Sequence, residues 1–333
     1  MDTRTALTAG APAARVVMPV SPDDIRAAAE RIHGRVRRTP VLCVDSAPLG
    51  LPAAQPLTLK LEFLQHTGSF KPRGAFNTLL SHMPSAAGVA AASGGNHGAA
   101  VAYAAARLGY KATIFVPDTS SPVKIARIRS YGAGVRMGGA RYADALEQCD
   151  AFVHESGALS VHAYDTPDTI AGQGTLAREW EEDCPDLDTV LIAVGGGGLI
   201  AGIASWYGKR VKVIGVEPEG SRCLHAALEA GRPVDVPVES IAGDSLGAKR
   251  TGDLVFEIAA KLVEQVLLVP DDTIRDAQRA LWEHLRIAAE PGGAAALAAL
   301  LSGCYRPETD ERVGVLLCGA NVDLATLGGV TAP

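Results

Sequence analysis

A continuous apolar run, Thr189-Val190-Leu191-Ile192-Ala193-Val194, passes directly into four glycines, Gly195 to Gly198, and these into Leu199-Ile200-Ala201-Gly202-Ile203-Ala204-Ser205-Trp206. The first run is rich in β-branched residues, as expected of a strand buried on both faces of a parallel sheet, and the last reads as a buried helix. A strand that turns through glycines into a helix is the building unit of doubly wound α/β sheets. The chain writes this unit twice. Gly88-Val89-Ala90-Ala91 leads into the turn Ala92-Ser93-Gly94-Gly95-Asn96-His97-Gly98, then into an alanine-rich helix from Ala99 to Leu108 and a further strand from Ala112 to Pro117. Two copies that differ in detail predict two doubly wound units, not a solenoid. The expected fold class is α/β, with two open, mainly parallel twisted sheets and flanking helices. At 333 residues, 47% of them hydrophobic, the chain has material for two such cores.

Each glycine turn is also suited to chemistry. Glycines let backbone N–H groups approach an anion, and the helix N-terminus adds partial positive charge. No lysine of the P-loop type follows Gly195 to Gly198, so a nucleoside triphosphate loop is not expected. Gly196, Gly198 and Ala201 fit the G-x-G-x-x-A dinucleotide pattern, and Glu217 follows the next strand where a ribose-binding acid would belong. On pattern alone, a nicotinamide site and a simple phosphate clamp both stand. The second turn carries Ser93, Asn96 and His97, which can hydrogen-bond a polar ligand. A third strand, Val313 to Leu317, ends in Cys318-Gly319-Ala320-Asn321, and ligands of open parallel sheets sit beyond strand carboxyl ends.

The segment His66-Thr67-Gly68-Ser69-Phe70-Lys71-Pro72-Arg73-Gly74-Ala75 places a lysine at a helix start. Pro72 suits the first turn of a helix, and Ser69 is expected to be its N-cap. A positive helix end and an apolar setting both disfavour a protonated ammonium, which suits an amine that acts as a nucleophile or forms a Schiff base.

Together these segments resemble the pyridoxal-phosphate-dependent serine/threonine dehydratase family, of the tryptophan-synthase-β-like fold. The likeness runs from about Ser21 to Leu324. It rests on the order of Gly68-Ser69-Phe70-Lys71, Ser93-Gly94-Gly95-Asn96-His97, Gly172-Gln173-Gly174-Thr175, Gly195 to Gly198, Glu290-Pro291-Gly292-Gly293-Ala294 and Cys318-Gly319-Ala320-Asn321. The resemblance implies that Lys71 carries pyridoxal 5'-phosphate and that Phe70 packs near its ring. It implies that Asn96 bonds the ring 3-oxygen, and that Gly195, Gly196, Gly197 and Gly198, with the Leu199 amide, bind the phosphate. Cys318 would face the pyridine nitrogen, where many relatives carry serine, and Ser69, Ser93, Gly94, Gly95 and His97 would meet the substrate carboxylate. It resolves the glycine loop in favour of the phosphate clamp.

The same resemblance implies a cofactor cleft between a large domain, residues 15–83 and 164–333, and a smaller inserted domain, residues 84–163. It also implies a homodimer. The reaction implied is β-elimination of a β-hydroxy L-amino acid, such as threonine or serine, to a 2-oxo acid and ammonia. Racemisation on the same scaffold is the alternative, but serine racemases place a serine acid where this chain has Gly94. Glycine there also leaves room for a bulkier β-substituent, which keeps 3-hydroxyaspartate and phenylserine open. Some relatives hold a divalent cation at positions matching Glu217, Ser221 and Cys223; cysteine departs from an oxygen-ligand pattern, so no metal is expected and Glu217 is a weak candidate only.

A net charge of −6 argues against nucleic-acid and anionic-membrane binding. No apolar run is long enough to span a bilayer. The cysteines at 43, 149, 184, 223, 304 and 318 form no C-x-x-C pair, which suits a reducing cytoplasm. Residues 1–14 lack an apolar signal core and are expected to be a flexible tail. Little chain follows Leu324, which points away from a regulatory domain. Gly243-Asp244-Ser245-Leu246-Gly247 matches G-x-S-x-G, but a hydrolase elbow needs a helix directly after it, and Lys249-Arg250-Thr251-Gly252 intervenes.

Overall fold

A computed structural model describes residues 18–51 and 56–323; the tail expected over residues 1–14 lies outside them. In chain order the strands are β1 (Val41–Asp45), β2 (Pro56–Lys60), β3 (Val89–Ala92), β4 (Ala112–Val116), β5 (Gly134–Met137), β6 (Leu159–Ser160), β7 (Thr189–Ala193), β8 (Lys212–Pro218), β9 (Gln265–Val269) and β10 (Val313–Leu316). They form two sheets, ordered β1-β2-β10-β7-β8-β9 and β5-β4-β3-β6. Every pairing is parallel except β1 with β2. The strands of the smaller sheet all lie in sequence between β2 and β7 of the larger one.

The apolar patterns explain the layers. All five residues of β7 are buried, because helices cover both faces. On one side pack the helices Pro167–Asp183 and Gly198–Tyr207, which approach so closely that a Cβ on Gly202 would stand 2.6 Å from the amide nitrogen of Gly174. Only glycine permits that contact. In the smaller sheet, Val89 and Ala91 of β3 enter one core while Ala90 and Ala92 enter another, the period-two alternation of a strand covered on both faces. The first of these two cores also takes in Ile32 and, from the helix Lys71–Ser81, Ala75, Phe76 and Leu79. The lysine-bearing helix is thus packed into the smaller sheet's core, although its residues precede that sheet in sequence.

Candidate active site

The lysine turn is held by the end of β10. Thr67 and Gly68 both take left-handed backbone angles, φ 61° and 70°. A side chain at Gly68 would stand 2.5 Å from Asn321 Oδ1, so glycine is required there twice over. The next residue, Ser69, is extended and bridges Gly319. The Phe70 amide donates to the Cys318 carbonyl at 3.2 Å, and the Ala320 amide donates to the Gly68 carbonyl at 3.0 Å. The helix begins at Lys71 with Phe70 as its cap residue and no side-chain cap. This corrects the expectation that Ser69 caps it: pairing with Gly319 keeps Ser69 out of the cap position, and its hydroxyl is buried without a partner.

Lys71 Nζ donates to the Ala163 carbonyl at 2.8 Å and lies 5.0 Å from the centre of the Phe70 ring. Burial pulls the pKa of its ammonium down to about 8. Cys318 is itself buried, with Sγ 3.6 Å from the Gly292 carbonyl, and burial pushes its thiol up.

The asparagine turn joins the same network. Asn96 opens the helix Asn96–Leu108. Its amide nitrogen donates to Glu290 Oε1 at 2.7 Å, while its amide oxygen accepts from Asn321 Nδ2, which also donates to the Thr67 carbonyl at 2.8 Å. The turn itself is braced by the Gly95 amide, which donates to Ser93 Oγ at 3.2 Å. His97 is buried and its Nε2 donates to the Val161 carbonyl at 2.8 Å; burial, helped by the Lys71 charge, pushes the ring down to about 3. At Gly94 the room left by the missing side chain is not empty, because Ser120 Oγ stands 2.7 Å from where a Cβ would be.

In the 195–198 loop, Gly197 is left-handed at φ 91°, and a Cβ on Gly196 would strike the Tyr164 ring at 2.3 Å. Gly195 meets the backbone of Leu246, with a Cβ position 3.0 Å from that Cα. Among the described residues no backbone N–H from Gly195 to Leu199 finds a carbonyl acceptor. The loop therefore presents a row of free donors at the start of the helix Gly198–Tyr207.

Two residues of this site were not singled out from sequence. Tyr164 packs on Gly196 and donates from its hydroxyl to the Arg250 carbonyl at 3.2 Å. Nothing in its sequence neighbourhood marks that contact. Glu290 lies in a recognised motif without an assigned role; its position before a helix-starting proline, Pro291, was the available signal. Burial pushes its carboxyl up to about 7 against the pull of the Asn96 amide. The folded protein then keeps a proton that the unfolded chain releases above its ordinary 4.5, so stability falls as pH rises from 4.5 towards about 7. The loss amounts to up to about 3 kcal/mol. Glu290→Gln keeps an acceptor for Asn96 without the charge. Thermal unfolding of the variant should match the parent near about pH 5 and stand above it near about pH 8; parallel curves would show that Glu290 is ionised throughout.

Glu217 is spent elsewhere. Its two carboxyl oxygens accept from the amides of Leu224 and His225 at 3.0 and 2.8 Å, capping the helix Cys223–Ala230. Ser221 Oγ donates to the Leu246 carbonyl and Cys223 Sγ to the Gly195 carbonyl. The three positions considered for a cation thus stabilise the glycine loop and its neighbours. The Gly243–Leu246 segment is a short helix against Gly195 and not a strand-to-helix elbow.

A lysine that gives up its proton near neutral pH, a row of free amides and three converging strand ends define a cofactor enzyme. The chain belongs to the family of pyridoxal-phosphate dependent enzymes, whose family model matches residues 32–319. It is 39% identical to phenylserine dehydratase of Ralstonia pickettii over 89% of this chain and 91% of that one. To L-threonine ammonia-lyase of Geobacter sulfurreducens it is 38% identical, over 92% of this chain and 77% of that one. The structure of maize serine racemase superposes with a TM-score of 0.87 at 33% identity, covering 93% of this chain and 96% of that one. The residues present fit pyridoxal phosphate. The free amides of the 195–199 segment suit a phosphate, and the depressed Lys71 amine suits an aldehyde. Among the described residues no helix is long and apolar enough to cross a membrane, and no cluster of three or more His, Cys, Asp or Glu could hold a metal ion.

Proposed function

We propose that this protein eliminates the β-hydroxyl of an L-amino acid of the threonine, serine or phenylserine type, releasing a 2-oxo acid and ammonia. It is a pyridoxal-phosphate-dependent ammonia-lyase. The observation that carries the reading is Lys71, a partly buried amine whose proton is lost at about 8, which donates to Ala163 next to the Tyr164 that packs on Gly196 and follows the Phe70 tied to Cys318.

When bound, pyridoxal phosphate supplies an electron sink for the bonds at the substrate α-carbon. The amides of Gly195 to Leu199 would hold its phosphate, and Asn96, its amide fixed by Glu290 and Asn321, would bond the ring 3-oxygen. Phe70 would pack beside the ring. Cys318, whose thiol burial keeps protonated, would face the ring nitrogen and would offer it a neutral partner in place of a charge. Ser69, Ser93, Gly94, Gly95 and His97 grip the substrate carboxylate; His97, neutral and tied to Val161, braces the turn. The grip aligns the Cα–H bond towards Lys71 Nζ, which takes the proton. The molecule comprises a large body, residues 15–83 and 164–333, and an inserted one, residues 84–163, and it works as a homodimer in the cytoplasm.

Racemisation is the second reading, favoured by the likeness to maize serine racemase. Gly94 opposes it, having no side chain to return a proton to the face opposite Lys71. The test is a panel of L-threonine, L-serine, 3-phenylserine and 3-hydroxyaspartate, with 2-oxo acid release measured beside chiral chromatography of the residual substrate. The expected result is 2-oxo acid with little D-isomer; D-isomer accumulating as fast as the 2-oxo acid would overturn the elimination reading.

A further inference from the structure

The helix Pro122–Ser130 belongs to the smaller sheet, burying Ile125 and Ile128 in its core. Yet its polar face reaches across to the other body at two points. Arg127 Nη2 donates to the Thr67 carbonyl at 2.9 Å, beside the lysine turn. Lys124 Nζ pairs with Asp244 Oδ2 at 2.8 Å. Asp244 sits on the Gly243–Leu246 turn, which is anchored behind by Leu246 in the larger core and packs on Gly195. The same turn faces the carboxylate grip, since a Cβ on Gly95 would lie 3.5 Å from the Asp244 carbonyl oxygen. The grip is in turn backed by Ser120 against Gly94, two residues before the helix that carries Lys124. The Asp244 side chain is 81% exposed and that of Lys124 33%. An ion pair so open to water contributes little to folding stability. It joins the two walls of the substrate site at their rim.

We infer that Lys124 and Asp244 are positioning residues that close the substrate side of the site. The pair parts to admit an amino acid and re-forms to hold the 93–97 turn and the 243–246 turn together over it. This rests on the proposed reading of the site as an amino-acid site, and it makes the pair a determinant of substrate affinity and not of the chemical step.

The test uses the cofactor-loaded enzyme and four variants: Lys124→Met, Asp244→Asn, the two combined, and the charge exchange Lys124→Asp with Asp244→Lys. Two readouts are taken, steady-state kinetics with L-threonine and binding of L-alanine followed by the change in cofactor absorbance. L-alanine has no β-hydroxyl, so its binding is informative even where elimination fails. Each single variant should raise KM for L-threonine and weaken L-alanine binding by about tenfold, with kcat within about threefold of the parent. The combined variant should be no worse than either single one, and the exchange should recover most of the affinity. Added salt should raise KM of the parent and leave that of the combined variant unchanged. Unaltered affinity in the single variants, additive losses in the combined one, or a fall in kcat in place of affinity would each overturn the pair's role. Normal L-alanine effects without 2-oxo acid from any substrate would instead overturn the elimination reading alone.

Discussion

Lys71→Ala lowers kcat on the order of 10³-fold or more, because one substitution removes both the cofactor's attachment point and the base at the α-carbon. The rival buried lysine is Lys60, and it is committed: its Nζ donates to the Thr39 carbonyl and to Glu179, both at 2.7 Å. Lys71 has only a backbone carbonyl as partner, and burial holds its pKa at about 8. The amine must lose its proton to work, and burial lowers its pKa, so kcat of the parent should rise with pH along an acid limb set below the ordinary lysine value of 10.5. Borohydride reduction followed by peptide mapping should find the cofactor on Lys71. A label on another lysine, or an alanine variant that turns over within tenfold of the parent, would remove Lys71 from the mechanism.

Arg73→Met should carry a large stability cost. Arg73 belongs to the first turn of the lysine-bearing helix and is 1% exposed. Its Nε and Nη2 bind the two oxygens of Glu62 at 2.7 and 3.0 Å, and Nη2 also reaches Glu179 at 3.0 Å. Glu62 has no exposure at all, and its other partner is the Thr39 hydroxyl at 2.7 Å. Methionine would fill the volume and leave that carboxylate buried without a cation, at a cost of roughly 3–5 kcal/mol. Arg73→Lys should lose part of this, since one ammonium cannot serve two carboxylates as the planar fork does. Pairing Arg73→Met with Glu62→Leu should recover much of the loss, because the uncompensated charge goes with its partner. Urea unfolding of the loaded enzymes measures all three. A methionine variant within 1 kcal/mol of the parent, on the order of an exposed pair, would show the cluster to be solvated.

The contrast between these two residues, two positions apart, marks how far the sequence could be read. Lys71, the 93–98 turn and the 195–198 loop are legible because each is a contiguous string whose residue types demand a local geometry: glycines, a helix start, a strand before it. The layer order followed from runs such as β7, apolar throughout because both its faces are covered. Arg73 could not be read, since Glu62 and Glu179 meet it only after three separate elements have packed. The same holds for the hydrogen bonds that tie Asn96 to Glu290 and Asn321, and for Tyr164 on Gly196. Ser69 misled because its type favours a helix cap while a long-range pairing with Gly319 decides its backbone. Glu217, a weak candidate only, shows the same dependence on distant contacts: a downstream helix takes both of its carboxyl oxygens.

The position of β10 has a consequence for biosynthesis. This strand comes last among the described strands, yet it lies inside the larger sheet, paired with β2 on one side and β7 on the other. A ribosome that has delivered everything up to β9 holds a chain whose sheet is split, with two bare inner edges facing a gap and no wall behind the lysine turn. Bare parallel edges are templates for pairing with other chains. The nascent protein thus stays in an adhesive state until β10 emerges, and a stop shortly ahead of Val313 would leave it there permanently, with neither a closed sheet nor a wall behind its lysine turn.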